Sequence, residues 1–497
     1  MKKFISTIVL PYLLSIHNVC MAKSIGASKD DPAILIVSFD GFRYDYTTVT
    51  KTPYLDSLKS RGAYGSLINV FETKTFPNHQ SLATGLYPEN HGVLANKVYD
   101  PQYNKVLNYG KKFWLYSDAV TPIWTLNELR HHHSGVMMWP GAEYGYRNDT
   151  HATFEQHWNT TWKWELRVDT VISWLKHPKT PVNIAMMYIE EPDMHSHPFS
   201  PNSSQVFTKI EQLDRLTGYL VQQLDKANLT DAVNVFILSD HGMTSTDEQH
   251  IIDLTRFTNE STYLSVGSSP VIHIFPKKGY EDKVYSDLKN ASSRFPMRVF
   301  TQKGTPPQWH IANSRRSPPI IVVANEGYAF QDLKSSIDYY AKEFNFTPTS
   351  DHKYGMHGYD NNLRSMHPFF LAFGPSIRQG VEIPPFNNVD LYSLWAHMLN
   401  IPQSDAPSNG SFKSSSASYI LKDNDVDVPS VMTSSIPVLG ILLGFSIFLA
   451  SRWCHLLCQC KPQNEEPTAT AYRRISNCEQ GEDMDASLEN EEVDILA

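Results

Sequence analysis

Cysteine is missing from most of this 497-residue chain, because none occurs between residues 21 and 453. The five cysteines lie near the ends, at Cys20, Cys454, Cys458, Cys460 and Cys478. Disulfide bonds therefore cannot stabilise the long middle of the chain, which needs a large hydrophobic core instead. An excess of positive charge is also missing, since 43 Lys and Arg residues face 52 Asp and Glu residues, for a net charge of −9. This balance argues against binding of a nucleic-acid polymer through a basic surface.

Long apolar runs are scarce as well, and the two that occur lie at the ends of the chain. Residues 1–22 begin with Lys2 and Lys3 and continue through FISTIVLPYLLSI to the small residues Cys20 and Ala22. A charged start, an apolar centre and small residues before the cleavage point are typical of a secretory signal peptide. The sequence therefore predicts that residues 1–22 are removed; the alternative is a buried N-terminal strand or helix.

The second run, VMTSSIPVLGILLGFSIFLASRW at 431–453, has the length of roughly 20 apolar residues that crosses a bilayer. Arg452 and Lys461 follow it, which places the C-terminus in the cytosol by the positive-inside rule. The predicted organisation is a signal peptide (1–22), an ectodomain (23–405), a stalk rich in Ser, Asp and Pro (406–430), a transmembrane helix (431–453) and an acidic cytoplasmic tail (454–497). Three cysteines just inside the membrane suit S-acylation, with a C-x-C zinc site as the weaker alternative: Cys454, Cys458 and Cys460.

Eight N-x-S/T sequons lie between the two apolar runs, and the predicted tail contains none. They are Asn148, Asn159, Asn202, Asn228, Asn259, Asn290, Asn345 and Asn409. Their confinement to one side of the predicted span indicates an N-glycosylated extracellular domain. The sequence therefore predicts a type I single-pass protein of the plasma membrane.

Short apolar runs rich in β-branched residues recur along the middle of the chain. Three of them end in acidic residues: AILIVSFD (33–40), VNIAMMYIE (182–190) and VNVFILSD (233–240). Similar runs occur at 319–324 and 367–374, and helical patterns alternate with the runs at 52–62, 77–85, 163–176 and 203–227. Continuous apolar strands are buried on both faces, as in a parallel sheet covered by helices. The pattern predicts an α/β fold with a mostly parallel central sheet flanked by helices.

Acidic residues and histidines follow the predicted strands at their carboxyl ends, where ligands bind in open α/β sheets. They are Asp40 after the first run, Asp193 and His197 after the second, Asp240 and His241 after the third, and His357 in a later glycine-rich loop. Asp and His together suit a divalent transition metal such as zinc. Each residue taken singly has a simpler explanation as a turn residue, a helix cap or an exposed loop residue, so the prediction depends on their joint occurrence.

Seven stretches of the sequence resemble the motifs of a known family: SFDGFR, KTFPNH, GLYPENHG, NKVYDP, EEPD…H, SDHGM and HGYDN…MHPFFLAFGP. Over residues 33 to 405 the chain is similar to the ectonucleotide pyrophosphatase/phosphodiesterases of the alkaline phosphatase superfamily. It looks closest to their short, single-domain, type I membrane members. The resemblance implies an alkaline-phosphatase-like fold and a hydrolase that cleaves phosphodiester or pyrophosphate bonds of extracellular nucleotides.

The resemblance also implies roles for individual residues. Two zinc ions would be bound, one by Asp40, Thr75, Asp240 and His241, and the other by Asp193, His197 and His357. Thr75 would be the nucleophile and form a phospho-threonine intermediate, while Asn96 would donate a hydrogen bond to a phosphoryl oxygen. A threonine hydroxyl on a cation loses its proton more readily than in water, and a helix beginning at Pro77 would favour negative charge there. The alternative is that Thr75 only caps this helix.

Three aromatic residues indicate which class of substrate the protein binds. Phe76 and Trp158 resemble the pair that sandwiches a nucleobase in the nucleotide branch of the family, and Trp139 in MMWPG resembles a residue of the pocket rim. The alternative is that these aromatics belong to the core. The pair favours a small-molecule nucleotide such as a dinucleoside polyphosphate, NAD, ADP or ATP. Other possibilities are a phospholipid or phosphocholine phosphodiesterase, a catalytically weak surface receptor, and a phosphomonoesterase, which would need an arginine that the sequence does not identify.

Two departures from the family pattern stand out. Ser196 replaces a usual glycine beside an additional His195, and HPFSP lacks the usual glycine before Pro201. These changes would shift the loop near the leaving group or let His195 compete as a metal ligand. The missing cysteines remove the family's disulfides without touching a proposed ligand. The sequence leaves the preferred nucleotide and the oligomeric state open.

Overall fold

The apolar runs of the sequence form the middle of an eight-stranded sheet. The structure, a computed structural model, describes residues 27–28 and 31–422. In chain order the strands of this sheet are β1 (Ala33–Phe39), β2 (Gly62–Ile68), β3 (Ser134–Met137), β4 (Phe154–Gln156), β5 (Ile184–Ile189), β6 (Val233–Leu238), β7 (Phe369–Phe373) and β8 (Val381–Asn387). Their order across the sheet is β8–β2–β7–β6–β1–β5–β3–β4.

Neighbouring strands run parallel everywhere in this sheet except at β7, which is antiparallel to both β2 and β6. Every residue of β1, β5 and β6 is buried, as expected for strands with cover on both faces. One hydrophobic cluster lies on each face: Ile34 and Ile36 belong to the first, Leu35 and Val37 to the second. The prediction of an α/β fold with a mostly parallel central sheet is confirmed.

Helices alternate with the strands, as the sequence predicts. Those of seven or more residues are Pro53–Lys59, Thr75–Thr84, Ile123–Leu129, Trp164–Leu175, Asp193–Phe199, Ser204–Lys226, Glu281–Ala291, Leu333–Glu343 and Asp390–Met398. Single-turn helices occupy Tyr46–Val49, Pro88–His91 and Lys111–Trp114. The predicted helix 52–62 is too long, because Gly62 already begins β2. This strand passes β7 so closely that a Cβ atom on Gly62 would lie 2.1 Å from the carbonyl oxygen of Ala372.

A second, four-stranded sheet is wholly antiparallel. In spatial order its strands are Tyr263–Ser268, Val271–Pro276, Ile320–Ala324 and Met297–Thr301. The apolar run 319–324 resembles a strand of the parallel sheet in the sequence, but it belongs to this antiparallel sheet. The run is continuously apolar because this sheet is also covered on both faces. Ile321 and Val323 belong to one cluster, and Ile320 and Val322 to another. Two-stranded pairs join Val98–Asp100 with Lys105–Leu107, Thr244–Thr246 with Tyr354–Met356, and Ile251–Ile252 with Ala329–Phe330.

The domain continues past residue 405, where the sequence predicts the start of a stalk. Residues 406–422 include two short 3-10 helices, Phe412–Ser414 and Ser416–Tyr419. Ala406, Phe412 and Ile420 are buried in the main core. A few apolar residues spaced between serines are enough to dock this segment, although its average composition resembles a linker. The stalk prediction is therefore wrong for residues 406–422.

The other predicted segments at the ends of the chain lie outside the described residues: 1–22, 431–453 and 454–497. Within residues 27–28 and 31–422, no helix is both long enough and apolar enough to cross a membrane.

Candidate active site and metal centre

A sharp turn after β1 brings the predicted ligands together. Asp40 follows β1 directly, and its amide N–H donates to the carbonyl oxygen of Ile189 in neighbouring β5, 2.9 Å away. Gly41 then turns with a φ of +65°, and a Cβ atom there would lie 2.9 Å from the Cβ of Asp193. Glycine alone tolerates both the positive φ and this close approach. The turn therefore lets helix Asp193–Phe199 begin against the end of β1.

Asp40, Asp240 and His241 form the first of two buried groups of metal-type ligands. The Nε2 atom of His241 lies 3.3 Å from Oδ1 of Asp40 and 3.2 Å from Oδ2 of Asp240. The Oγ1 atom of Thr75 is 3.3 Å from the same nitrogen. The structure thus brings together all four residues that the family resemblance assigns to one metal ion.

Asp193, His197 and His357 form the second group. One helical turn separates Asp193 from His197, whose Nε2 atom lies 3.2 Å from Oδ2 of Asp193. The Nε2 atom of His357 is 3.6 Å from Oδ1 of the same carboxylate. Nε2 of His241 lies 4.0 Å from that oxygen too. The two groups are therefore immediate neighbours.

Backbone carbonyls fix the orientation of all three histidines. In each case Nδ1 donates to a carbonyl oxygen 2.9–3.1 Å away: His197 to Gly355, His241 to Gly242, and His357 to Thr73. When the rings are neutral, these bonds assign the proton to Nδ1, so that Nε2 carries the lone pair that can bind a cation. Three buried carboxylate oxygens have no hydrogen-bond partner among the described residues: Oδ1 of Asp40, Oδ1 of Asp193 and Oδ2 of Asp240. Nitrogen and oxygen donors arranged in this way fit divalent cations such as zinc.

The charges of the site also favour the binding of divalent cations. Burial and the nearby carboxylate of Asp40 raise the pKa of Asp240 to about 7. Burial opposes protonation of His241, but the charges of Asp240 and Asp40 outweigh it and raise the pKa of His241 to about 10. Burial likewise opposes ionisation of Asp193, but the charge of His197 helps to hold the pKa of Asp193 well below its usual range. Buried carboxylates this close together require positive charge, which bound cations supply.

Thr75 is the first residue of helix Thr75–Thr84, and Lys74 occupies the N-cap position. The helix therefore begins two residues before the predicted start at Pro77. The hydroxyl of Thr75 contacts His241, and the residue lies within the helix. The alternative that Thr75 is only an N-cap is therefore wrong.

Asn96 lies beside the start of this helix. Its Oδ1 atom accepts a hydrogen bond from the amide N–H of Phe76 at 3.1 Å. That bond occupies one first-turn donor, and Pro77 has no N–H, so the helix start offers fewer donors to an anion than the sequence predicts. The Nδ2 atom of Asn96 is buried, and no protein group in the described part of the chain accepts a bond from it. It is a donor held close to Thr75, as a contact with a phosphoryl oxygen requires.

The structure distinguishes the three aromatic residues predicted to bind the substrate. The side chain of Phe76 is 6% exposed and packs in a cluster with Trp114 and other rings. Trp158 is 37% exposed, and its ring centroid lies 5.6 Å from that of Tyr188. Trp139 is 1% exposed, and its indole N–H donates to a backbone carbonyl of the helix that begins at Thr75. The buried Trp139 side chain therefore packs against this helix and is bonded to it. The prediction that Trp139 is a residue of the pocket rim is wrong.

The unusual residues near the second group do not disturb it. The Nδ1 atom of His195 lies 2.6 Å from Oε1 of Glu191, and its ring packs against Phe344. Ser196 is buried, and its hydroxyl donates to the carbonyl oxygen of Pro192 at 2.8 Å. His195 is therefore not a competing metal ligand in this structure.

Two supporting residues escape the sequence analysis. The hydroxyl of Tyr188 donates to Oδ2 of Asp40 at 2.5 Å. The Nδ1 atom of His79 donates to the carbonyl oxygen of Thr75 and lies 3.4 Å from Oδ2 of Asp240. Both are polar side chains within buried elements, Tyr188 in the strand IAMMYI and His79 one turn along the helix from Thr75. Buried polar groups require partners. A polar side chain in an otherwise apolar or buried element is therefore the sequence signal that would identify these two residues.

Comparisons with known proteins agree with this geometry. The sequence profile described as "Type I phosphodiesterase / nucleotide pyrophosphatase" matches residues 34–360. The human ectonucleotide pyrophosphatase/phosphodiesterase family member 5 is 38% identical over 402 residues, which cover 79% of this chain and 79% of that protein. The human bis(5'-adenosyl)-triphosphatase ENPP4 is 36% identical over 396 residues, which cover 78% of this chain and 82% of that protein.

Solved structures give the same result. A structure of inactive murine family member 5 in complex with AMP matches with a TM-score of 0.69 and 37% identity. The match covers 77% of this chain and 98% of the murine chain. The resemblance in the sequence motifs is confirmed. The chain therefore belongs to the type I phosphodiesterase/nucleotide pyrophosphatase family of enzymes.

Proposed function

We propose that this protein is a two-zinc hydrolase of the cell surface that releases nucleoside monophosphates from extracellular nucleotides. Its substrates would be dinucleoside polyphosphates, NAD, ADP or ATP, and its intermediate a phospho-threonine at Thr75. One observation carries the proposal: the hydroxyl of Thr75 lies 3.3 Å from His241 Nε2, at the edge of two adjoining Asp/His groups. This position supports a role for Thr75 as the nucleophile rather than as a structural residue.

The first group with Thr75 would hold one cation, and the second group the other. Cations bound there would lower the pKa of the Thr75 hydroxyl and neutralise charge that develops on the phosphoryl oxygens. Thr75 Oγ1 then forms a bond to phosphorus as the bond to the leaving oxygen breaks, and the nucleoside remains attached to that phosphorus. Asn96 Nδ2 donates to a non-bridging oxygen. In the second step a water oxygen attacks phosphorus, the bond to Thr75 breaks, Thr75 recovers a proton, and the nucleoside monophosphate leaves.

The surroundings of the site support a nucleotide with a phosphate chain. Trp158 presents an exposed aromatic face on which a base can stack. A cavity of about 240 Å³ adjoins His197 and His357 and is also lined by Lys97, whose positive charge suits phosphates in the leaving group. Among the relatives, ENPP4 is named as a bis(5'-adenosyl)-triphosphatase, and family member 5 binds AMP.

A larger cavity, of about 580 Å³, is not the substrate site that we propose. It is lined by Ser200, Thr246, Tyr328 and neighbouring residues, and it includes none of the residues in the two metal-ligand groups. Reactive groups therefore identify the site better than cavity size does.

Placement of this domain outside the cell is also part of the proposal. All eight sequon asparagines are exposed on the domain surface, where an oligosaccharide can be attached without unfolding the chain. The cysteine-free domain with its large core needs no disulfide for stability.

The test uses the purified full-length chain and its Thr75→Ala and Thr75→Ser variants. The substrates are p-nitrophenyl thymidine monophosphate, p-nitrophenyl phosphorylcholine and diadenosine triphosphate, each assayed with and without a chelator. We expect Thr75→Ala to lose a factor on the order of 10⁴ or more in kcat, while Thr75→Ser retains part of it. Zinc should restore the chelated wild-type enzyme, and mass spectrometry of acid-quenched samples should find a nucleotide on the peptide that contains Thr75. Wild-type turnover by Thr75→Ala would overturn the mechanism, and a preference for the choline ester would overturn the substrate class.

A further inference from the structure

The segment before the nucleophile, residues 69–74, connects the two halves of the active site. It links β2 to helix Thr75–Thr84 and contacts a distant part of the chain almost residue by residue. The contacts are Asn69 O with Asn361 Nδ2 at 2.9 Å, Phe71 stacked on Trp309 at 3.9 Å, Glu72 Oε1 with His273 Nε2 at 2.8 Å, and Lys74 Nζ with the carbonyl oxygens of Ser268 and Ser269 at 2.9 and 3.1 Å. The conformation of the chain before Thr75 therefore depends on residues 268–361.

Thr73 makes the closest of these connections. Its hydroxyl donates to the carbonyl oxygen of Tyr359 and accepts from the amide N–H of Gly358, both at 2.9 Å. Its own carbonyl oxygen accepts from Nδ1 of His357, also at 2.9 Å. The residue is fully buried, so no water competes for these bonds. One threonine thus holds three consecutive residues that include a predicted metal ligand.

This arrangement differs from that of the other two histidines in the site. His241 donates to the carbonyl oxygen of Gly242, the next residue in the chain, and His197 donates to Gly355. His357 alone of the three takes its orienting bond from the nucleophile segment, two residues before Thr75. The second ligand group and the nucleophile are therefore joined through Thr73.

We infer that Thr73 is a positioning residue whose hydroxyl keeps His357 in register with Thr75, so that the second group binds its cation tightly. The inference rests on the proposed function, because the second cation is part of it. Partners that orient metal-bound histidines typically change metal affinity 10- to 100-fold. Loss of the hydroxyl would leave the carbonyl of Thr73 in place but release residues 358 and 359.

The test compares Thr73→Val, which removes the hydroxyl at nearly constant volume, with Thr73→Ser, which keeps it. Thr125→Val is the matched control, because Thr125 is also fully buried and its hydroxyl has no partner among the described residues. The full-length proteins are stripped of metal and titrated with zinc against a competing chelator. Bound zinc per chain and the two dissociation constants are measured, together with the Tm of each metal-free protein.

We expect two bound ions in wild type and a loss of about tenfold or more in the affinity of one of the two sites in Thr73→Val. The other site should stay within about threefold of wild type, because His357 does not belong to it. Thr73→Ser and Thr125→Val should stay within about threefold at both sites, because each keeps a hydroxyl at residue 73 that holds residues 358 and 359. Equal zinc affinities in Thr73→Val and wild type would overturn the inference. So would an equal loss at both sites together with a much lower metal-free Tm, because that result would indicate a purely structural role. A wild-type protein that binds only one ion would instead overturn the two-zinc proposal itself.

Discussion

The imidazole rings of His241 and His357 stack face to face, with centroids 3.6 Å apart and planes 11° apart. One ring belongs to the first ligand group and the other to the second. The two ligand groups are therefore packed against each other through these rings, and a displacement of one group also displaces the other. Because the packing is tight, the addition of a single atom should alter the geometry of the site.

Gly41→Ala tests that sensitivity. Its new Cβ would lie 2.9 Å from Cβ and 3.0 Å from Oδ1 of Asp193, so Asp193 has to move. We expect kcat to fall by about 10²-fold, the cost of a displacement of roughly 1 Å in a catalytic site. Turnover of p-nitrophenyl thymidine monophosphate measures the effect. Gly110→Ala is the control, because Gly110 also has a positive φ, +95°, but nothing within 4 Å of its Cβ position. Equal turnover in the two variants would contradict the argument.

Asn96→Asp separates the two roles of Asn96. The aspartate keeps an acceptor for the amide N–H of Phe76 but lacks the Nδ2 donor. We expect kcat to fall by about 10²- to 10³-fold, as for loss of one donor to a developing negative charge. Thermal unfolding of the metal-loaded protein should stay close to that of wild type, because the anchoring bond is retained. The donor role is refuted if Asn96→Asp turns over as fast as wild type.

Trp158→Ala should weaken binding of the nucleotide substrate. A stacked base contributes about 1–3 kcal/mol, so KM for diadenosine triphosphate should rise about tenfold with little change in kcat. Tyr280→Ala is the control, since Tyr280 is similarly exposed, at 43% against 37% for Trp158, but lies beside a surface helix of the smaller sheet. An unchanged KM would remove Trp158 from the substrate site.

The sequence predicts well which acidic residues and histidines come together, because the acidic residues come at or after the ends of continuous apolar runs, and parallel strands bring their carboxyl ends to one edge. Asp40 and Asp240 are clear examples. The burial of Trp139 is not predictable in this way, because a sequence motif does not show whether a side chain points into the pocket or into the core. Thr73 and Tyr188 are also missed, since their partners are distant in sequence and their residue types are common in loops and strands. Burial of Phe412 depends on core residues that are distant in sequence, which the composition of its own segment cannot describe.

Ser200 departs from the family pattern and should lower the free energy of unfolding by a measurable amount. It stands before Pro201, where the resemblance implies glycine, and adopts φ +69° and ψ +146°, a region that side chains other than glycine disfavour by about 1–3 kcal/mol. Its hydroxyl recovers part of this through a 2.8 Å hydrogen bond to Ser245 Oγ. We expect Ser200→Gly to be more stable than Ser200→Ala by about 1 kcal/mol or more, because alanine keeps the strain and loses the bond. Urea unfolding of both variants measures the difference, and a more stable alanine variant would contradict it.

His91 should make the protein sensitive to acid independently of the metal site. Burial, with a contribution from the charge of Arg316, lowers the pKa of His91 to about 3. Its Nδ1 atom accepts from the amide N–H of Val93, and its Nε2 atom lies 2.9 Å from the hydroxyl of Ser81. The ring is therefore neutral in the folded protein, and a proton on Nδ1 would break the bond to Val93.

The sign of the pH effect follows from the two states. The unfolded chain binds a proton at His91 near the ordinary pKa of about 6.5, whereas the folded chain does so only near pH 3. The stabilising contribution of the neutral ring is therefore complete above pH 6.5 and declines as the pH falls toward 3, by up to about 1.4 kcal/mol per unit. Between pH 7.5 and pH 5.0 this amounts to about 2 kcal/mol of unfolding free energy.

Urea unfolding of wild type and His91→Gln at pH 7.5 and 5.0 measures this contribution. Both proteins contain the same metal ligands and the same other titratable groups, so those effects cancel in the comparison. We expect wild type to lose about 2 kcal/mol more than His91→Gln over this interval, whatever their difference at pH 7.5. Parallel losses in the two proteins would mean that His91 takes up its proton without unfolding, and that Val93 does not hold the ring in its neutral form.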